Sequence, residues 1–410
     1  MSANLTRHRI LFFAEAVSLA HVTRPLVLAQ GLDTAVWDIH FACADAYSFC
    51  LAAQPFTRHH VHSISPETFL QRLSSGSPLY TEAELRAYVE CDLELLDKLK
   101  PDIVAGDFRL SLAVSARLRK IPYLALTNAH WSPYSANHNF PFPEHPTARL
   151  FGVGLAGWMF QRLRPMIFAL HARPMNRVRA HYGMPAIADL RNLYTDGDWT
   201  LYADTPGLVP TENLPPRHRY IGPLIWSPDI ARPDWWSALQ LGRPTIYVTL
   251  GSTGQVLLLP EALAEMSDID ANLVVATAGR IDPAHLPAGV RAADYLPGLE
   301  AAARSDLVIC NGGSATVYQA LSAGKPVVGV CSNMDQYLTM NCVEAVGAGL
   351  LLRAGQTSGT ALRDAALKVL GNPRYTAAAR KTADDFLRLH APGQFARITL
   401  EALAHASSME

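Results

Sequence analysis

Charge is scarce in this chain of 410 residues: only 17% are charged, with 35 Lys and Arg against 36 Asp and Glu. The near balance leaves no global field that would attract a polyanion, so no nucleic acid partner is expected. Long apolar runs are also missing. A membrane span needs about 20 apolar residues and a secretory core about 7–15, whereas the polar amino terminus is followed by a short apolar run, residues 10–14. The expectation is a cytoplasmic protein. The six cysteines, Cys43, Cys50, Cys91, Cys310, Cys331 and Cys342, include no C-x-x-C pair, which argues against a disulfide framework or a zinc knuckle. No H-E-x-x-H or His/Cys cluster offers a metal site, and Asp268-Ile269-Asp270 reads as a solvated turn. No G-x-G-x-x-G follows a strand, which argues against a dinucleotide oxidoreductase. Repeats of 20–50 residues and low-complexity segments are absent as well, excluding solenoids and propellers.

What is present is a globular composition, 49% hydrophobic, at a length that suggests two or three domains. Short apolar runs at residues 9–14, 37–43, 103–105 and 123–127 alternate with helical patterns at 24–30 and 111–119. Alternation of this kind predicts a parallel sheet with crossover helices. Six prolines between positions 210 and 233 break both periodicities and read as an interdomain connection. The rhythm then resumes, with strand-like runs at 245–250, 273–277, 307–310 and 326–330. The fold class read here is α/β, two Rossmann-like lobes with a ligand cleft between them. Their boundaries are a first lobe over 1–215, a linker over 216–236, a second lobe over 237–390, and a terminal helix over 391–410.

The run Leu307-Val308-Ile309-Cys310-Asn311-Gly312-Gly313-Ser314-Ala315-Thr316 is a buried strand entering two glycines and then a helix. Open backbone N–H groups and the positive end of the helix dipole suit a diphosphate, and Ser314 and Thr316 add hydroxyls. An ordinary strand-to-helix turn is the competing reading. Asp335-Gln336, just past the next strand, pairs a carboxylate with an amide that could grip vicinal sugar hydroxyls; a polar loop pair is the alternative.

These motifs together, with Ala323-Gly324-Lys325-Pro326 and Gly347-Ala348-Gly349, resemble the donor signature of the inverting, nucleotide-sugar-dependent glycosyltransferases of GT-B fold, in their bacterial macrolide and antibiotic branch. The resemblance implies that Ser252 in the loop Leu250-Gly251-Ser252-Thr253-Gly254, and Tyr295 and Leu296 ahead of Pro297, lie by the nucleotide. It also implies that Asn311, Gly312, Gly313, Ser314, Ala315 and Thr316 hold the diphosphate, and Asp335 and Gln336 the sugar. Asn311 and Ala315 depart from the histidine and glycine usual in the family.

In the first lobe, Ala20-His21-Val22-Thr23-Arg24-Pro25 resembles the family's G-H-x-x-P segment, whose histidine is the catalytic base, with Ala20 in place of the glycine. A helix amino terminus favours neutral imidazole, and Asp107, after the strand at 103–105, matches the carboxylate that orients it. A helix cap is the competing role for Asp107. Trp131, Tyr134, Phe140 and Phe142 are candidates for the acceptor pocket, since apolar walls with polar tips suit an aromatic or lipidic acceptor.

The function so implied is transfer of a sugar from a UDP- or TDP-sugar to a hydroxyl of a small apolar or aromatic acceptor, with inversion. The nucleotide sugar is a co-substrate and neither cofactor nor metal is implied; membranes are contacted peripherally only if the acceptor is lipidic. A degenerate GT-B protein that binds a nucleotide sugar without turnover is the alternative, motivated by Asn311 and Ala315.

Overall fold

The computed structural model describes residues 7–52, 54–144, 146–251 and 259–408. The chain divides into two compact units: Met1–His138, Trp158–Leu224 and Leu389–Glu410 form one, and Asn139–Gly157 with Ile225–Arg388 form the other.

The first unit is built on seven parallel strands: β1 (His8–Ala14), β2 (Trp37–Cys43), β3 (Thr57–His59), β4 (Ile103–Asp107), β5 (Tyr123–Thr127), β6 (Trp199–Tyr202) and β7 (His218–Tyr220). Their order is β3-β2-β1-β4-β5-β6-β7. The central strands are buried end to end, β4 and β5 throughout and β1 from Leu11 onwards with Ile10 also at 0% exposure. Both faces are therefore covered, which is why these strands read as continuous apolar runs instead of alternating ones. β7 lies inside the stretch expected to be a linker. It is the outermost strand, and an edge strand tolerates the flanking prolines because one of its sides needs no ladder partner.

The second unit holds β8 (Thr245–Thr249), β9 (Asn272–Ala276), β10 (Arg291–Ala293), β11 (Leu307–Cys310), β12 (Val327–Cys331) and β13 (Gly349–Arg353). The order is β10-β9-β8-β11-β12-β13, again all parallel. In each sheet the first strand of the unit sits centrally and the winding reverses beside it, between β1 and β4 and between β8 and β11. Crevices beyond the carboxyl ends of strands at such reversals are where open α/β sheets bind ligands.

The last helix, Ala391–Ser407, belongs to the first unit. Phe395 is fully buried with its ring 5.6 Å from that of Phe12 on β1. Pro392 approaches the helix Leu19–Gln30 so closely that a Cβ at Gly31 would collide with it, so glycine here is a packing requirement. Phe395→Ala should destabilise the first unit by about 3–5 kcal/mol, the usual cost of emptying a buried aromatic site. Urea denaturation checks this, and a midpoint equal to that of the wild type would place the helix outside the core.

Candidate active site

Register brings the first set of residues together. β1 pairs with β4 so that Ala14 is opposite Asp107, and the chain leaves β1 through a short loop into the helix Leu19–Gln30. His21 is in the first turn of that helix, and its Nδ1 lies 2.8 Å from Asp107 Oδ1. Nδ1 also lies 3.0 Å from Arg24 Nη2, so it faces both an acceptor and a donor; with its proton on Nδ1, shared with the carboxylate, the imidazole has Nε2 as its basic nitrogen. The helix-cap reading of Asp107 fails: it closes β4, its carboxyl is fully buried, and Ser111 stands at the cap position of the next helix.

Arg24, one turn after His21 on the same helix, is the residue that sequence reasoning passed over. Its Nε donates to Asp107 Oδ2 and its Nη2 to Oδ1, both at 2.6 Å. Its Nη1 donates to Asn128 Oδ1 at 2.6 Å, and Asn128 Nδ2 in turn donates to Asp204 Oδ1 at 2.8 Å. Burial pushes the Asp107 carboxyl up, but the charge of Arg24 and the bonds from His21 and Arg24 outweigh it and hold the group below its ordinary range. The three-residue step between His21 and Arg24, which places both on one helix face, was the available signal.

A second buried charge cluster lies next to this one. Arg109 donates to Glu15 Oε2 at 3.0 Å and to Asp92 Oδ1 at 2.9 Å, and all three side chains are wholly excluded from solvent. Tyr88 and Ser111 donate to the two carboxylates. Burial raises the pKa of both acids against the pull of Arg109. Since the Glu15 N–H donates to the Asp107 carbonyl, this cluster braces the strand ends that carry the dyad.

Aromatic rings line one side of His21. Phe108 stacks on the imidazole at 4.6 Å and 13°, Tyr194 lies 5.4 Å from Phe108, and Trp131 packs edge-on to Tyr194 at 5.3 Å. Phe69 and Tyr80 contact Phe108 from other directions. Phe108 holds a left-handed backbone at φ 59°, a costly conformation for a side chain of its size that sets its ring against His21. Of the four acceptor candidates, Trp131 joins this row. Tyr134 packs edge-on to His218 at 5.2 Å and lines a recess of about 320 Å³ with Ile187, Asn192 and Thr195. Phe140 is buried and Phe142 is partly buried, and both belong to the second unit, where the Phe142 carbonyl accepts from Arg353.

In the second unit β8 and β11 pair with Thr249 opposite Cys310, which sets the loop after β8 beside Asn311. A Cβ on Gly251 would lie 3.5 Å from Asn311 Nδ2. Gly312 has φ 81°, and a Cβ there would come within 2.5 Å of Cys331 Sγ and 2.8 Å of Met340 Cγ, so packing as well as backbone conformation demands glycine. Gly313 caps the helix Ser314–Ser322 with φ −71°, and its N–H donates to Asn311 Oδ1 at 3.1 Å. Asn311 thus stabilises its own turn. Ser314 is buried, Thr316 is partly exposed and Ala315 is exposed. Arg280, in the loop after β9, donates to the Gly251 carbonyl at 3.3 Å and brings a positive charge to this loop cluster that the sequence reading did not include.

Asp335 and Gln336 are not in a loop. They stand in the first turn of the helix Met334–Ala345, where Gln336 is the reciprocal partner of Asn333 in a capping box. Gln336 Oε1 accepts from Ser332 N–H at 2.8 Å, and the residue is 2% exposed. The motif Asn333-x-x-Gln336 is itself a helix-start signal, and it accounts for this glutamine structurally. Leu296 is buried, Tyr295 is exposed, and Ser252 falls outside the described residues. Asp270, in the expected solvated turn, is exposed and ion-paired with Arg243 at 2.6 Å.

Two parallel α/β sheets, each with a polar cluster at its winding reversal, are the architecture of the GT-B fold. The solved structure described as spinosyn rhamnosyltransferase SpnG complexed with thymidine diphosphate matches at TM-score 0.65 and 18% identity, covering 96% of this chain and 100% of that one. Residues 260–403 match the family described as Erythromycin biosynthesis protein CIII-like, C-terminal domain. A "PGL/p-HBAD biosynthesis glycosyltransferase" of Mycobacterium tuberculosis (strain ATCC 25177 / H37Ra) is 47% identical over 93% of this chain and 89% of its own length. A "PGL/p-HBAD biosynthesis rhamnosyltransferase" of Mycobacterium bovis (strain BCG / Pasteur 1173P2) is 48% identical over 93% of this chain and 85% of its own. The chain belongs to the family of these glycosyltransferases.

Because the Asp107 carboxyl is depressed below its ordinary 3.8, its contribution to stability is fully present above about that pH and falls away as pH drops through the native value. Asp107→Asn should therefore lose its stability deficit relative to wild type as pH falls below 3.8, read from urea midpoints across pH. Arg24→Met should cost about 3–5 kcal/mol at pH 7 by leaving Asp107 buried and less compensated. A parallel pair of pH profiles would remove Asp107 as a native carboxylate.

Proposed function

We propose that this glycosyltransferase moves a sugar, rhamnose first among the candidates, from a TDP- or UDP-sugar to a phenolic hydroxyl of a lipid-like acceptor with inversion at the anomeric carbon. The observation that carries the reading is the His21–Asp107 hydrogen bond at the β1–β4 reversal. The names of the relatives and the nucleotide on the spinosyn enzyme supply the substrate classes. The row Phe108, Tyr194 and Trp131 supports an aromatic acceptor beside the base.

In this reading His21 Nε2 takes the acceptor proton as the hydroxyl oxygen forms its bond to the anomeric carbon. The bond from that carbon to the diphosphate breaks, and the diphosphate leaves with the electron pair. Asp107, already ionised by Arg24, holds the imidazole in the needed tautomer and faces the imidazolium that forms. The negative charge on the departing diphosphate is met by the amino terminus of the helix Ser314–Ser322, by loop donors near Asn311, and by Arg280, without a metal ion. Arg280 supplies the charge that Asn311 lacks. Asp335 remains the carboxylate for the sugar hydroxyls, with Ser252 and Tyr295 toward the nucleotide. The binding-only alternative draws no support from the relatives, and the His21–Asp107 contact favours turnover.

His21→Ala should lower turnover by about 10²–10⁴ with nucleotide affinity near wild type, and Asp107→Asn should lower it less. Steady-state transfer from TDP-rhamnose to a short-chain phenol reads both, and full activity in His21→Ala overturns the base assignment. For the donor half, Asn311→Leu and Arg280→Gln should each weaken TDP binding by about 1.5–3 kcal/mol, the size of a hydrogen bond to a charged group. Calorimetric titration decides; affinities equal to wild type would move the diphosphate away from this loop.

A further inference from the structure

The helical segment Pro146–His181, broken at the non-helical Gly152 (φ 72°, ψ 152°), carries an exposed face that neither half-site uses. Within its first-unit portion, from Trp158 onward, Trp158 is 59% exposed and Met166 65%, with Met159, Leu163 and Leu170 also exposed. Arg162, Arg173 and Arg177 are exposed among them. At 3.6 residues per turn these eight positions fall within an arc of about 140°, so they form one strip. The charge of the strip is one-sided. From position 145 to 187 the sequence has no Asp, Glu or Lys but has six arginines, in a chain whose net charge is −1. The acid at the strip's edge is Glu82, which lies 3.6 Å from Arg177 and also pairs with Arg86. The Arg162 guanidinium rests 5.4 Å over the Trp158 ring.

We propose that this strip is a docking surface for an anionic lipid bilayer, on which the helix lies in the headgroup plane. Tryptophan, methionine and leucine exposed together are costly in water and favourable at the headgroup boundary, and arginines interleaved with them meet lipid phosphates while their stems stay in the apolar layer. No helix among the described residues is long and apolar enough to cross a membrane, so the helix rests on the surface. A neutral or acidic protein partner fits less well, because nothing in the strip specifies a shape. The proposal deepens the reading above, whose acceptor is lipid-like, by bringing the first unit to the phase where such an acceptor resides.

The test is co-sedimentation of the full chain with vesicles of phosphatidylglycerol and phosphatidylcholine in equal parts, against pure phosphatidylcholine, at 50 and 500 mM salt. Binding to the anionic vesicles, weakened by high salt, is expected. The variant R162Q/R173Q/R177Q should bind about fivefold more weakly per arginine removed, and W158S/M166S about tenfold more weakly overall. Both should keep the wild-type melting temperature and wild-type turnover on a soluble short-chain phenol. Wild type that stays in the supernatant with both vesicle types, or variants that bind as well as wild type, overturns the proposal. Concentration-dependent dimerisation in sedimentation velocity that both variants abolish, without vesicle binding, assigns the strip to a second copy and also overturns it. Vesicle binding is read without turnover, so an inactive enzyme that still binds refutes the transfer reading alone, and an active one that does not bind refutes docking alone.

Discussion

The Asp107 carboxylate, sealed from solvent at the carboxyl end of β4, constrains everything around it. An uncompensated buried charge would cost several kcal/mol, and the first unit meets that cost with two donors from one helix turn, His21 and Arg24. Holding those donors in place requires the helix Leu19–Gln30 to stay fixed against β1 and β4. The close approach of Pro392 to Gly31 and the burial of Phe395 against Phe12 do that from the opposite end of the chain. Electrostatics at the amino-terminal end of this helix and close packing at its other end thus secure it.

Arg24 also shares the carboxylate's charge. It donates one bond to each Asp107 oxygen and approaches His21 Nδ1, so the carboxylate's charge is divided between guanidinium and imidazole. The neighbouring Glu15–Arg109–Asp92 cluster repeats the motif with the ratio reversed, two acids to one guanidinium, and burial raises both acids accordingly. Two such networks at one reversal leave the strand ends little freedom to shift.

The loop cluster of the second unit relies on backbone more than on side chains. Gly312 is imposed by φ 81° and by Cys331 and Met340 behind it, Asn311 folds its carbonyl back onto Gly313 N–H, and Gln336 is committed to a helix start. Motif residues there have structural duties first. Arg280, from a different strand end, is a positive charge that the motif itself does not contain.

Much was legible in the sequence alone: the parallel α/β rhythm, the strands flanking each reversal, the family, and His21 with Asp107. Doubly covered strands write themselves as apolar runs, and glycines mark turns, both local signals. Local signals also misled. Asp335-Gln336 reads as a sugar grip or a polar loop pair, but Gln336 completes a capping box whose residue types serve either purpose, and β7 hid among prolines because an edge strand needs only half a ladder. The strand order, the placement of Arg24 on Asp107, the closing of the aromatic row on His21, and the exposed basic strip of the helix Pro146–His181 were decided by tertiary structure. Each depends on which distant segments share a register or leave a face uncovered, and pairing across 80 or more positions leaves no trace in the spacing of neighbours along the chain.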